Sequence, residues 1–75
     1  MLAYVLITLN INKEQEVLDK LKELSNIKEA HIVFGEWDII ALAEVESPEH
    51  LSKFIIDNVR VLPEVELTST MVVAK

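Results

Sequence analysis

The sequence predicts a single α+β domain with the element order βαββαβ, and three observations lead to this prediction. The chain has 75 residues, the length of one small domain. Four segments alternate side chains with a period of two, as strands do. Two segments between them carry apolar residues at helical spacing. This order is typical of the ferredoxin-like architecture, a four-stranded antiparallel sheet with two helices on one face.

The first half of the chain is predicted to form a strand, a helix and a second strand. Residues 2–9 are apolar in both registers, as in a strand that is covered on both sides. Asn12 is predicted to cap the following helix, with Gln15 as its capping-box partner. The second strand is predicted over residues 27–34, with Phe34 on the same face as Ala30. The apolar positions of the helix are Val17, Leu18, Leu21 and Leu24.

The second half is predicted to form a strand, a helix and a final strand. Gly35 is the only glycine, and so few residues follow it that the flanking strands must form an antiparallel hairpin. Ser47 and Pro48 predict a helix start, with a hydroxyl cap followed by proline at the first helical position. Pro63 ends this helix. The strands are predicted over residues 38–45 and 65–74, and the buried helix positions are Leu51, Phe54, Ile55 and Val59.

The apolar surface of the predicted sheet indicates self-association. Strands one and three are largely apolar in both registers, yet two helices can cover only one face. The second face would exceed the few hundred Å² of contiguous apolar surface that soluble monomers tolerate. A chain this short has a marginal core, and the absence of cysteine excludes stabilisation by disulfides and thiolate metal sites. We therefore expect a sheet-to-sheet dimer, and a homo-oligomer in general.

Charge and hydropathy exclude two classes of partner. Thirteen acidic side chains against seven basic ones give a net charge of −6, and no basic cluster could contact phosphates. We therefore expect no direct binding to nucleic acid. No run approaches 18 apolar residues and no signal-peptide pattern opens the sequence, so we expect a cytoplasmic protein without membrane association.

Signals of catalysis are weak. His31 and His50 fall on different elements without metal-ligand spacing, which favours structural or solvated roles and predicts no metal site. Glu44 and Glu46 are two residues apart at a strand end, where a solvated edge is the simpler interpretation than acid–base catalysis. No cysteine is present and no serine has a recognisable paired base. We expect a non-enzyme without a cofactor.

One turn could carry more than packing. It places the only glycine, Gly35, and the only tryptophan, Trp37, beside Glu36 and Asp38. In one interpretation, Asp38 caps turn amides and Trp37 packs in a subunit contact. In the other, turn amides, a carboxylate and an aromatic wall form a pocket suited to a zwitterion. The run 68–70, Thr-Ser-Thr, is equally ambiguous because threonine is also a good strand residue.

Together these residues resemble the effector domain, or RAM domain, of the Lrp/AsnC transcription regulators. The resemblance covers the whole chain, and its specific part is the glycine-acid-aromatic-aspartate turn. It implies a sheet-to-sheet dimer, assembly of dimers into rings, and amino-acid effectors bound between dimers near the turn. The ligand-binding residues that the resemblance implies are Gly35, Glu36, Trp37, Asp38, Thr68 and Thr70.

The sequence also departs from that family. The 75 residues contain no helix-turn-helix, so we expect a stand-alone member of the family, with one RAM-type domain over residues 1–75. Glu64 stands where a glycine commonly follows the proline, and Trp37 stands where tyrosine is frequent, which would favour a more apolar ligand. The leading hypothesis is an amino-acid-binding regulatory module that assembles with DNA-binding Lrp/AsnC relatives. A small enzyme of the dimeric ferredoxin-like barrel type and a ligand-free structural assembly domain are the alternatives.

Overall fold

A computed structural model describes residues 1–75 and confirms the predicted element order. All four strands form one sheet, in the order β2-β3-β1-β4, with every neighbouring pair antiparallel. Both crossovers place their helices on the same face, so the fold is ferredoxin-like. No helix is long and apolar enough to cross a membrane. The elements are β1 (Leu2–Leu9), α1 (Glu14–Lys22), β2 (Ile27–Ile32), β3 (Ile39–Glu44), α2 (Pro48–Phe54) with a π-helical turn (Ile55–Val59), and β4 (Val65–Val72).

The core lies between the sheet and the two helices. On β1, Ala3, Val5 and Ile7 are fully buried, as the alternation of the strand predicts. They pair with Ala43, Ala41 and Ile39 of β3, so small and large side chains alternate beneath the helices. No polar or charged residue is buried. The helices contribute Val17, Leu18, Leu21, Leu51, Phe54, Ile55 and Val59 to this core.

The start of α1 differs from the prediction. Asn12 does not cap the helix, because the N–H of Lys13 donates to the carbonyl of Ile11 at 2.8 Å in a tight turn that leaves Asn12 outside. Lys13 is the N-cap and its side chain caps nothing. Gln15 donates to Asp19 at 2.9 Å instead of closing a capping box.

The β2–β3 hairpin is also shorter than predicted. β2 ends at Ile32, paired with Ile39, and the N–H of Val33 donates to the carbonyl of Asp38 at 2.9 Å to close the hairpin. The chain leaves the sheet beyond this bond, so Phe34 lies outside the core register and is fully exposed. The prediction that this strand continues to Phe34, on the same face as Ala30, is therefore wrong.

The second helix begins as predicted and then widens. The N–H of His50 donates to the Ser47 hydroxyl at 3.1 Å, and Pro48 occupies the first turn. From Ile55 the helix becomes a π-turn, in which the N–H of Arg60 donates to the carbonyl of Ile55 at 2.8 Å. Such turns occur frequently at functional sites, and no signal in the sequence indicated this one.

The face of the sheet opposite the helices is apolar and uncovered within the chain. On β4, Leu67 and Met71 are 60% and 52% exposed. The central strands contribute side chains that are only partly covered by their neighbours in the sheet. We call this surface the open face; its apolar residues are Leu2, Tyr4, Leu6, Ile40, Leu42, Leu67 and Met71.

Candidate functional site

The predicted turn projects from the end of the sheet between β2 and β3. Gly35 has φ of 143°, a conformation that side chains with a β-carbon rarely adopt. A β-carbon built there would meet nothing within 4 Å, so the backbone angle rather than lack of space requires the glycine. Glu36 is exposed, whereas Trp37 and Asp38 are half-buried. The conformation of Gly35 thus lets the chain reverse, so that Trp37 and Asp38 lie directly before β3.

Asp38 connects this turn to β1 through two hydrogen bonds. Its Oδ2 accepts a hydrogen bond from the N–H of Leu9 at 2.7 Å, and its own N–H donates to the carbonyl of Ile7 at 2.9 Å. The Leu9 amide needs this partner because the regular pairing of β1 with β3 ends at Ile7 and Ile39. Asp38 therefore caps a strand amide rather than the amides of its own turn. Its Oδ1 has no protein donor.

The two threonines lie on a different surface. Thr68 and Thr70 of β4 pair with Ile7 and Val5, so their side chains share the helix-facing side of the sheet. There they line a cleft of about 270 Å³ between β4 and the second helix. One side of this cleft is apolar and the other carries hydroxyl groups. The remaining lining residues are Leu51, Ser52, Ile55, Ile56 and Arg60.

Arg60 is a polar residue of this cleft that the sequence interpretation missed. It is the only arginine in the chain, it is exposed, and no carboxylate lies within ion-pair distance of it. The hydrogen bond of the π-turn ends on its N–H, so the widened turn positions this residue beside β4. A lone arginine at the end of an amphipathic helix was the available signal.

The turn and the threonine cleft are separate within one chain. β1 runs between β3, which the turn precedes, and β4, which carries the threonines. None of the four clefts is lined by residues of both groups. The structure thus brings Gly35 to Asp38 together, brings Thr68 and Thr70 together, and keeps the two groups apart.

Glu44, His31 and His50, the other candidates from the sequence, have partners within the chain. Glu44 forms an ion pair with Lys28 at 3.1 Å, and His50 Nδ1 accepts from the N–H of Glu46 at 3.2 Å. These residues line a cleft of about 510 Å³ at the opposite end of the sheet from the turn. His31 lies 3.6 Å from Glu29 on the edge strand. No group of three or more potential ligands could hold a metal ion.

Glu64, at the position where the family commonly has glycine, adopts no left-handed conformation. Its pKa lies below the usual 4.5, mainly because its own backbone N–H stabilises the charged carboxylate; burial opposes the shift, and Lys20, 3.4 Å away, adds to it. The N–H of Asn10 donates to the Glu64 carbonyl at 2.9 Å. This hydrogen bond therefore connects the loop before β4 to the loop after β1.

This lowered pKa predicts a pH dependence of stability. A carboxylate with a folded-state pKa below its unfolded value stabilises the fold above the unfolded pKa, and this contribution disappears as the pH falls through the folded value. We expect Glu64→Gln to lower the free energy of unfolding at pH 7 and to leave it unchanged at pH 2. Urea unfolding at both pH values measures this, with the exposed Glu16→Gln as the control. Equal losses at both pH values would contradict the electrostatic origin.

Comparison with known proteins agrees with this architecture. The family model of the Lrp/AsnC ligand binding domain matches residues 2–75. The chain belongs to the Lrp/AsnC family. Its sequence is 33% identical to the HTH-type transcriptional regulator FL11 of Pyrococcus abyssi over the whole chain and 49% of that regulator. This Lrp/AsnC domain therefore spans about half the length of that relative.

Solved structures confirm the fold. The crystal structure of FFRP-DM1 has a TM-score of 0.89 and 38% identity, covering 93% of each chain. The Neisseria meningitidis regulator NMB0573, solved as a complex with L-Met, has a TM-score of 0.88 at 16% identity, covering 99% of this chain and 49% of that one. The first is similar in size and sequence to this Lrp/AsnC domain, whereas the second shows the shared fold.

Proposed function

We propose that this Lrp/AsnC domain binds an amino acid where two copies of the chain meet, and regulates transcription through its state of assembly. The observation that carries the proposal is the separation of two complementary half-sites. The turn offers the Asp38 carboxylate, backbone amides and the Trp37 ring. The cleft offers the hydroxyls of Thr68 and Thr70 beside apolar side chains. A second copy can bring the turn of one chain to the cleft of another.

The chemistry of the two half-sites suits a zwitterion. The ligand ammonium group pairs with Asp38 Oδ1, which has no protein donor. The ligand carboxylate accepts hydrogen bonds from turn amides and threonine hydroxyls. Charge-assisted hydrogen bonds of this kind contribute about 1.5–3 kcal/mol each. The ligand side chain packs between Trp37 and the apolar side of the cleft, so apolar amino acids are the preferred class.

The relatives support this ligand class and this role. The NMB0573 complex with L-Met is a regulator of the same fold with an amino acid bound. FL11 is a transcriptional regulator, and it is longer than this domain. In our proposal the open face forms a sheet-to-sheet dimer in the cytoplasm, and the domain acts through assembly with copies of itself or with DNA-binding relatives. It performs no catalysis and makes no direct contact with nucleic acid.

Calorimetric titration with single amino acids tests the ligand. We expect at least one apolar amino acid to bind the wild type and Asp38→Asn to weaken its binding by about 10- to 100-fold, the loss of one charged contact. Asparagine keeps a carbonyl oxygen that can accept from Leu9, so this variant removes the charge and preserves the turn. Asp19→Asn, on the outer surface of α1, is the control and should bind as the wild type does.

Two outcomes would contradict the proposal. Unchanged affinity in Asp38→Asn would exclude Asp38 from the site. Failure of every amino acid to bind the wild type would favour the ligand-free assembly domain. The enzyme alternative needs polar groups between sheet and helices, and no polar or charged side chain is buried there.

A further inference from the structure

Arg60 has no anionic partner, although thirteen acidic side chains give the chain a net charge of −6. Asp57, three residues earlier, is paired with Lys53 at 2.7 Å and is therefore engaged elsewhere. Glu66 lines a neighbouring cleft together with Arg60 and forms no ion pair with it. A guanidinium group presents a planar fork of N–H donors that matches the two oxygens of a carboxylate. In Arg60 this fork is free for a ligand.

The π-turn of the second helix determines where Arg60 lies. Its N–H donates to the carbonyl of Ile55, five residues earlier, instead of to a carbonyl four residues earlier. The side-chain amide of Asn58 donates to the carbonyl of Phe54 at 3.2 Å within the same widened turn. One additional residue in a turn rotates the residues that follow by about 100° around the helix axis. The helix ends in this rotated position, with Arg60 beside β4.

Three hydroxyl groups share the cleft between β4 and the second helix with Arg60. They belong to Thr68, Thr70 and Ser52, and none of them forms a hydrogen bond within the chain. Each hydroxyl can donate one hydrogen bond to an anion. No acidic side chain lines this cleft. It therefore offers an anion one positive charge and three hydroxyl donors, from two different elements of the fold.

We propose that Arg60 and these hydroxyls form the subsite for the α-carboxylate of the ligand, and that Arg60 makes the domain select amino acids over their amides. The inference deepens the proposed function and rests on it for the class of ligand. A carboxylate at Arg60 lets the adjoining side chain cover Ile56, which is 58% exposed on the apolar side of the cleft. An inorganic anion would leave this side uncovered. The ammonium group stays free for Asp38, as in the proposed function.

Calorimetric titration with paired ligands tests the subsite. The pairs are L-leucine, L-methionine and L-phenylalanine, each with the amide in which a neutral carboxamide replaces the carboxylate. At about pH 6 both members of a pair carry a protonated α-amino group, so they differ only in the charge of the carboxylate. We expect the wild type to bind the tightest of these acids about 10- to 100-fold more strongly than its amide, and Arg60→Gln to bind both alike.

Two further variants show whether the guanidinium group is responsible. Arg60→Lys keeps the charge but loses the planar fork, and should retain only part of the preference for the acid. Lys22→Gln removes one positive charge from α1, at a residue without an ion pair, and should keep the whole preference. A wild type that binds acid and amide equally, or an Arg60→Gln variant that still prefers the acid, would overturn the proposal.

A ligand without an ammonium group distinguishes the two proposals. 4-Methylpentanoate is leucine without its amino group, so it depends on Arg60 but not on Asp38. It should shift the NMR signals of the Thr68 and Thr70 amides in the wild type and in Asp38→Asn, but not in Arg60→Gln. If it does so while no amino acid binds, the subsite is correct and the proposed amino-acid function fails. If amino acids bind with dependence on Asp38 and none on Arg60, the function is retained and the subsite is wrong. If neither ligand binds, both proposals are wrong.

Discussion

Leu6→Glu is expected to convert the proposed sheet-to-sheet dimer into a monomer of 8.5 kDa. Leu6 is at the centre of the open face, between Ile40 of β3 and Ser69 of β4. A carboxylate there is buried without a partner when two open faces meet, at a cost of several kcal/mol. Each 1.4 kcal/mol weakens association about tenfold, so dimers formed at micromolar concentration should dissociate. Sedimentation equilibrium over a concentration series measures the change.

A control for this substitution lies outside the sheet. Val61→Glu also adds a carboxylate in place of an aliphatic side chain, but Val61 is 64% exposed in the loop before β4, so this variant should remain dimeric. Leu6 faces away from the core, and the far-ultraviolet circular dichroism of Leu6→Glu should therefore remain that of the wild type. A folded Leu6→Glu that still dimerises would show that the open face is not the dimer interface.

The fold could be predicted from the sequence because each strand and helix follows a local pattern of apolar and polar residues. Alternation along β1 and β3 places Ala3, Val5 and Ile7 in the core, and the Ser47-Pro48 start sets the second helix. Errors occurred at element ends. Asn12 and Phe34 were misassigned because a tight turn and the end of strand pairing each depend on single backbone hydrogen bonds.

The candidate site was harder to predict because its residues come from different strands and some of them also stabilise the fold. The sequence identified Asp38 as unusual but could not indicate that its Oδ2 accepts from the Leu9 amide, since this contact depends on where the pairing of β1 with β3 ends. Thr68 and Thr70 came from the resemblance, and the cleft around them is formed by a π-turn that periodicity does not reveal. Arg60 was missed for the same reason.

The core offers the largest expected change in the stability of the fold. Ile7 is fully buried, and it pairs with Ile39 on one side and Thr68 on the other. Ile7→Ala should lower the free energy of unfolding by about 2–5 kcal/mol, from lost transfer energy and the cavity that remains. Small domains are stable by about 5–15 kcal/mol in total, so this is a large share. Urea unfolding followed by Trp37 fluorescence measures it.

The substitution Ile7→Ala should also affect ligand binding. The carbonyl of Ile7 accepts from the N–H of Asp38, and Thr68 pairs with Ile7 across the sheet, so relaxation around the cavity should shift both proposed half-sites. We expect Ile7→Ala to bind an amino acid more weakly than the wild type even where it is fully folded. Ile11→Ala deletes the same atoms from a side chain that is 49% exposed, and should change neither stability nor affinity by more than a small margin. Equal destabilisation by Ile7→Ala and Ile11→Ala would contradict the placement of Ile7 in the core. If Ile7→Ala loses stability but keeps its affinity for the amino acid, the positions of Asp38 and Thr68 do not depend on the packing of Ile7.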